Sequence, residues 1–284
     1  MQFDSANRID QNLARNAVGI NVHLLENSCD GCYRHSGCLA RVLGNDVLRQ
    51  YDANVQRSRR IAAGKHLFRM SDPFNSIFTI LSGCVKVYQL DDAGNEHLVG
   101  FRFPGDLVGA DAIDTGHYLN SSIALETTFV CEIPYVKFKS FAQKHPELHI
   151  ELVAQLSRML REERMHSLHL AGTAAEKRVG SFLIDIATKL FALQSGSCSI
   201  VLSMSRSDIA NYLGLAMETV SRTLTQFRDR GLISVRRKHI TILEMEDLTH
   251  YVEGAGYETG LSEKFHHDHG QFVDNRLMSQ AVNR

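Results

Sequence analysis

The chain has 284 residues, 44% of them hydrophobic and 22% charged, with a formal net charge of −1. Such a composition supports a packed core and excludes a low-complexity or strongly self-repelling chain. No apolar run reaches the ~18 residues of a spanning helix, and the start MQFDSANRIDQNLARN lacks the apolar stretch of a secretory signal. A cytoplasmic protein with reduced thiols is therefore expected, without membrane insertion. Its six cysteines then read as core residues or metal ligands rather than disulfides.

Residues 1–50 form the first unit, a cysteine-rich segment whose first twenty residues are uninformative. Cys29, Cys32 and Cys38 place three thiols within ten residues, and Gly31 and Gly37 let the backbone fold around a cofactor. Soft thiolates suit an iron–sulfur cluster or zinc; the plain alternative is three structural cysteines. A four-ligand site draws its last thiol from Cys84, Cys131 or Cys198. Cys84 lies in an apolar strand, Cys198 in a linker, and Cys131 at the end of the strand-rich region, so sequence position alone leaves the choice open.

Residues 51–145 read as a β-roll, with short strands over 55–142. Turn signals recur at Ala63-Gly64-Lys65, Ser82-Gly83, Asp91–Asn95 and Pro104-Gly105-Asp106, and segments 77–81 and 85–90 are β-branched and aromatic. From Pro146 the period changes. Leu148, Leu152, Leu156, Met159 and Leu160 make an apolar stripe on a helix over 146–170, with Glu147 in its first turn. A long helix with a narrow seam predicts a homodimer; packing on its own β-roll is the alternative. Glu163 falls close to that seam, where like carboxylates would repel across a two-fold axis.

Residues 171–250 read as a winged helix-turn-helix. A helix over 171–195 shows Val179, Phe182, Leu183, Ile186 and Leu190 on one face, followed by a Ser195-Gly196-Ser197 linker. Ser205 caps a short helix, Gly214 makes a turn, and Met217–Arg228 forms a second helix. The N-terminal part of that second helix faces base edges in such motifs. Here Glu218 suits cytosine and Arg222 suits guanine, with Thr219 and Ser221 beside them. A surface ion pair between Glu218 and Arg222 is the plain alternative. Arg236, Arg237 and Lys238 form the tip of a β-hairpin wing that grips phosphate. Between Arg206 and Lys238 there are seven Arg/Lys against three Asp/Glu, a local net charge of +4, so the rest of the chain carries −5. Double-stranded DNA is the partner that this basic face fits. Residues 251–284 read as a polar, flexible extension, and its His266-His267-Asp268-His269 run as a solvated tail rather than a metal site.

Taken together, the β-roll, the long helix, Glu218-Thr219-Val220-Ser221-Arg222 and the wing resemble the CRP/FNR superfamily of bacterial regulators, over about residues 20–245. The resemblance implies an α+β architecture: a cyclic-nucleotide-binding-like jelly roll, a dimerisation helix and a C-terminal winged helix-turn-helix. In the FNR branch an E-x-x-S-R motif reads TTGAT-type half-sites, which implies roles for Glu218, Ser221 and Arg222 on palindromic DNA. The same resemblance assigns Cys29, Cys32, Cys38 and Cys131 to a 4Fe–4S cluster. In the family, oxygen converts such a cluster toward 2Fe–2S, the dimer weakens and DNA affinity falls, and the resemblance implies the same switch here. It also implies contact between RNA polymerase and a β-roll loop such as 91–96. The small residues Gly31 and Gly37 leave little cover over the cluster, although Tyr33 and His35 supply some.

The related cAMP receptors use a Gly-Glu pair and an Arg-Ser pair on the ligand. The matching residues here are Gly109-Ala110-Asp111-Ala112 and Asn120-Ser121-Ser122. Without the arginine a buried phosphate is unpaired, so cyclic-nucleotide binding is not expected. No nucleophile elbow, P-loop or zinc-protease motif suggests an enzyme. A zinc- or disulfide-based redox regulator on the same scaffold and a ferredoxin-like electron carrier stand as alternatives.

Overall fold

Alternating side chains and glycine-bearing turns build eight short strands: β1 (Gln56–Ile61), β2 (His66–Phe68), β3 (Ser76–Ser82), β4 (Val85–Leu90), β5 (Glu96–Arg102), β6 (Leu107–Val108), β7 (Ser121–Ala124) and β8 (Thr128–Pro134). The computed structural model describes Cys29, Cys32, residues 38–191 and residues 196–254. Gly31, Tyr33, His35, Gly37, Ser195 and the 255–284 part of the polar extension, with His266, His267, Asp268 and His269, lie outside the described residues.

The eight strands form two antiparallel four-stranded sheets, ordered β1-β8-β3-β6 and β2-β7-β4-β5. Side-chain alternation divides what each strand faces. Phe78, Ile80 and Val130 fill the space between the sheets with Phe68, Val85 and Val87. Ile77, Leu81, Cys131 and Ile133 project from the opposite face into a second core.

Three helices cover that second core: α1 (Asn45–Asp52), α2 (Tyr135–Lys144) and α3 (Glu147–Gly172). The sequence pattern predicts strands through residue 142, but Tyr135–Lys144 is helical, with Phe138 and Ala142 on its buried side. Helix α3 corrects the expected seam. Leu148 and Leu152 are 0% and 7% exposed and pack on the chain's own β-roll. Leu156 and Met159 lean on the same core. The buried stripe is completed by Glu151 and Gln155. The outward face instead carries Ile150, Val153, Leu160 and Leu168, each more than 60% exposed. Of the expected stripe, only Leu160 belongs to it.

The C-terminal domain contains α4 (Ala175–Phe191), β9 (Cys198–Val201), α5 (Arg206–Leu213), α6 (Met217–Asp229), β10 (Ile233–Arg236), β11 (His239–Ile242) and α7 (Met245–Gly254). The segment read as a linker to the DNA domain contains a strand instead. Cys198 opens β9, pairs in register with Ile242 and is buried. Helix α7 was not foreseen; Met245, Leu248 and Val252 seat it in this domain's core. The same core takes Cys84, Phe101 and Phe103 from the β-roll, so the two domains share apolar surface. Lys86 Nζ bonds Asp208 across the junction at 3.0 Å, and Asn211 exchanges hydrogen bonds with the β5 backbone at Glu96 and Leu98. No described helix is long and apolar enough to cross a membrane.

Candidate DNA-reading surface and cysteine site

The helix-turn-helix is fixed at each end by local chemistry. Ser205 Oγ accepts from the Asp208 N–H, and the Asp208 carboxylate accepts from the Ser205 N–H, both at 3.0 Å. This reciprocal cap satisfies two of the helix's orphan donors. Gly214 ends α5 at φ 59°, a left-handed conformation that costs a side-chain-bearing residue ~1–2 kcal/mol. Arg178 Nη1 then caps the Leu213 carbonyl at 3.0 Å. Ile209, Leu213, Val220, Leu224 and Phe227 lock α5 to α6.

That packing leaves one face of α6 free. Glu218, Ser221 and Arg222 are exposed and Thr219 is half-buried. Among the described residues no ion pair joins Glu218 to Arg222, so the carboxylate and guanidinium point outward as separate groups. The hairpin between β10 and β11 exposes Arg236, Arg237 and Lys238, with Arg237 at φ 57° at the tip. Arg206 is the first residue of the basic stretch expected to bind DNA. It is half-buried, and its buried Nη1 has no hydrogen-bond partner among the described residues.

At the other end of the chain, the short helical turn Leu39–Val42 and α1 press the cysteine segment onto the outer face of β3 and β8. Cys29 and Cys131 are buried in this core, and Cys32 and Cys38 pack against it. Cys84 and Cys198 lie in the other domain's core. The Cys32 N–H donates to the Cys29 carbonyl at 3.2 Å, and Cys29 Sγ donates to Asp52 Oδ1 at 3.2 Å. Asp52 is held in turn by Arg57 Nε at 3.0 Å.

Burial pushes the Cys29 and Cys131 thiols well above the ordinary range, and for Cys29 the hydrogen bond to Asp52 adds to the effect. Burial also raises Cys38, to about 11, against a backbone hydrogen bond from Ala40. These thiols hold their protons at neutral pH, so binding a metal requires proton release. Four soft donors meeting from two segments suit an iron–sulfur cluster or zinc by chemistry. As placed, no three His, Cys, Asp or Glu among the described residues form a single-ion cage.

Where a cyclic phosphate would need a cation, Asn120 Nδ2 donates to the Asp111 carboxylate, and Ser122 Oγ is buried without a hydrogen-bond partner among the described residues. The group opposite Asn120 is thus an acid.

An exposed recognition helix beside a basic wing, carried on a β-roll and a long helix, defines a DNA-binding transcription regulator. Residues 177–251 match the Crp-like helix-turn-helix domain family, and residues 58–145 match the cyclic nucleotide-binding domain family. The chain is 38% identical over 220 residues to the transcriptional activator protein anr of Pseudomonas aeruginosa, spanning 78% of this chain and 90% of that protein. It is 35% identical to the fumarate nitrate reduction regulatory protein of Klebsiella oxytoca over 226 residues, covering 80% and 90% of the two chains. Among solved structures it resembles FixK2 from Bradyrhizobium japonicum, with a TM-score of 0.60 and 25% identity, over 68% of this chain and 94% of that one. The chain belongs to the CRP/FNR family, in its FNR branch. Its relatives are transcription regulators, not enzymes.

Proposed function

We propose that this regulator responds to oxygen through a 4Fe–4S cluster on Cys29, Cys32, Cys38 and Cys131, and that as a homodimer it binds a TTGAT-type palindrome when oxygen is low. The observation carrying this reading is that Cys131, from β8, shares one core with the three N-terminal cysteines while Cys84 and Cys198 do not. When bound, such a cluster supplies oxygen-labile iron and sulfide that tie the cysteine segment to the β-roll.

The chain's own residues relay that state. Cys29 would hold the cluster as a thiolate, so its hydrogen bond to Asp52 would be present only in the cluster-free protein. The turn after Cys38 reaches α3 through Arg41, which bonds Glu151 at 2.8 Å. Seating or release of the cysteine segment therefore pulls on the long helix, the two-state element such a switch requires. The second subunit packs on the outward face at Ile150, Val153 and Leu160, spaced three and seven apart as in a coiled-coil seam. Glu163 flanks that seam, with Arg102 Nη2 of its own chain 3.3 Å away.

On DNA, Glu218, Ser221 and Arg222 read bases with Thr219 beside them, and Arg236, Arg237 and Lys238 hold phosphates. The exposed hairpin between β4 and β5 is the surface for RNA polymerase. The β-roll takes no cyclic nucleotide, because Asn120 and Asp111 stand where a cation is needed. The protein works in the cytoplasm.

The test is iron, sulfide and zinc analysis of protein purified without air, followed by gel shifts on a TTGAT palindrome under argon and after air. Iron and sulfide near four per subunit, with binding lost in air, are expected. Colourless or zinc-loaded protein that binds equally in both conditions overturns the reading in favour of a zinc- or thiol-based regulator.

A further inference from the structure

The residue beside the cysteine site that its apolar packing does not explain is Tyr51. It sits on α1, three residues after Leu48, and both face the core that holds Cys29 and Cys131. Tyr51 is 1% exposed, and its ring meets Phe141 edge-on with centroids 5.6 Å apart. That packing would be served by phenylalanine. The hydroxyl is the anomaly: it is buried and has no hydrogen-bond partner among the described residues. A buried donor left unsatisfied destabilises the fold, so an oxygen kept in such a place calls for an acceptor. The core that the hydroxyl is buried in also contains Cys29 and Cys131, with Cys32 and Cys38 packed against it.

We propose that the Tyr51 hydroxyl donates a hydrogen bond to a sulfur of the cluster held by Cys29, Cys32, Cys38 and Cys131, making Tyr51 a positioning residue for that cluster. The inference rests on the cluster reading above. An O–H donor withdraws electron density from the sulfur, favours the more reduced cluster and raises its potential. It also makes the cluster harder to oxidise. The cost of the buried hydroxyl is then confined to the cluster-free protein, so Tyr51 favours assembly by the difference between the two states.

The experiment compares wild type with Tyr51→Phe, both purified without air. Wild type is expected to show Fe–S stretching bands in resonance Raman that move in D2O. In Tyr51→Phe that movement shrinks, the cluster potential falls, and visible absorbance decays several-fold faster in air. In urea, the cluster-free variant unfolds at the same or a higher midpoint than cluster-free wild type. A merely structural tyrosine would not produce this opposite response of the loaded and empty proteins. If Tyr51→Phe does not load, its empty form still supplies the urea comparison. A variant that loses the cluster while its empty form matches wild type in urea supports the proposal. Loaded wild type and variant with equal potentials, air lifetimes and D2O shifts overturn it and leave the cluster reading standing. So does empty Tyr51→Phe that unfolds earlier than empty wild type. Wild type without iron and sulfide overturns the cluster reading and Tyr51's role together.

Discussion

Arg41 Nη2 donates to Glu151 Oε2 at 2.8 Å, across 110 positions of sequence, and joins the turn after Cys38 to the buried face of the long helix. The same carboxylate accepts from Arg158 at 3.1 Å and from Gln155 Nε2 at 2.9 Å, and it is 4% exposed. A carboxylate this buried is tolerable only while its partners hold. Glu151→Gln should destabilise the protein by ~1–3 kcal/mol, less than the ~3–5 kcal/mol of a fully buried pair, because Arg41 and Arg158 remain 39% and 43% exposed. Urea unfolding of the two proteins measures it, and equal midpoints would show that the ion cluster contributes nothing.

The pH dependence of that difference has a fixed sign. Although burial opposes it, the hydrogen bonds from Arg41 and Gln155 hold Glu151 below the usual carboxylate value of about 4.5. Its contribution is therefore fully present above that value and is lost as pH falls through the lower folded-state value. The gap between wild type and Glu151→Gln should be constant from neutral pH down to about pH 5 and close below it. A gap that widened on acidification would contradict this.

The two faces of α3 predict opposite behaviour. Leu148→Ala removes a fully buried side chain and should cost ~2–5 kcal/mol of stability in the isolated subunit. Val153→Glu and Leu160→Glu alter outward residues, so they should leave the subunit's stability within ~0.5 kcal/mol and shift sedimentation toward the monomer. Dimers that survive both glutamates would place the subunit contact elsewhere.

This distinction shows where the sequence was readable. The period of α3 was plain, but two apolar lines run along it, and the inward one includes Glu151 and Gln155. Periodicity treats these as surface residues, because the arginine that neutralises Glu151 comes from a turn 110 positions earlier. The helix-turn-helix was legible residue by residue, since its cap, its turn glycine and its core are all local in sequence. Helix α7 was not, since its place depends on distant partners such as Gly180, which leaves room for Val252. Cys131 could be singled out only by family resemblance, because which face of β8 it joins follows from pairing with β3, and Thr79 opposite it gives no sequence signal.

In the proposed dimer, Glu163 and Arg102 couple the seam to the β-roll. If like carboxylates repel across the dimer axis, Arg102 at 3.3 Å already offsets much of that charge. Arg102→Ala should therefore weaken the dimer, and adding Glu163→Ala should restore it. Sedimentation under air at low and high salt measures both effects, and the loss should shrink as salt screens the charge. A double variant no better than Arg102→Ala would mean that the guanidinium acts through packing instead.

On DNA, the α6 and wing residues should separate by what they touch. Arg222 is exposed on the reading face, and its guanidinium geometry matches guanine O6 and N7. Arg222→Ala should cost ~1–3 kcal/mol on a cognate palindrome and less on a site altered at the contacted base, so specificity relaxes. Arg237 is equally exposed but sits at the hairpin tip, where phosphate is the reachable partner. Arg237→Ala should weaken every sequence alike and reduce the slope of log K against log salt by about one. Anisotropy titrations of both variants over a salt series distinguish the roles. If Arg222→Ala instead changed the salt slope and left discrimination intact, α6 would be gripping backbone and base reading would fall to other residues.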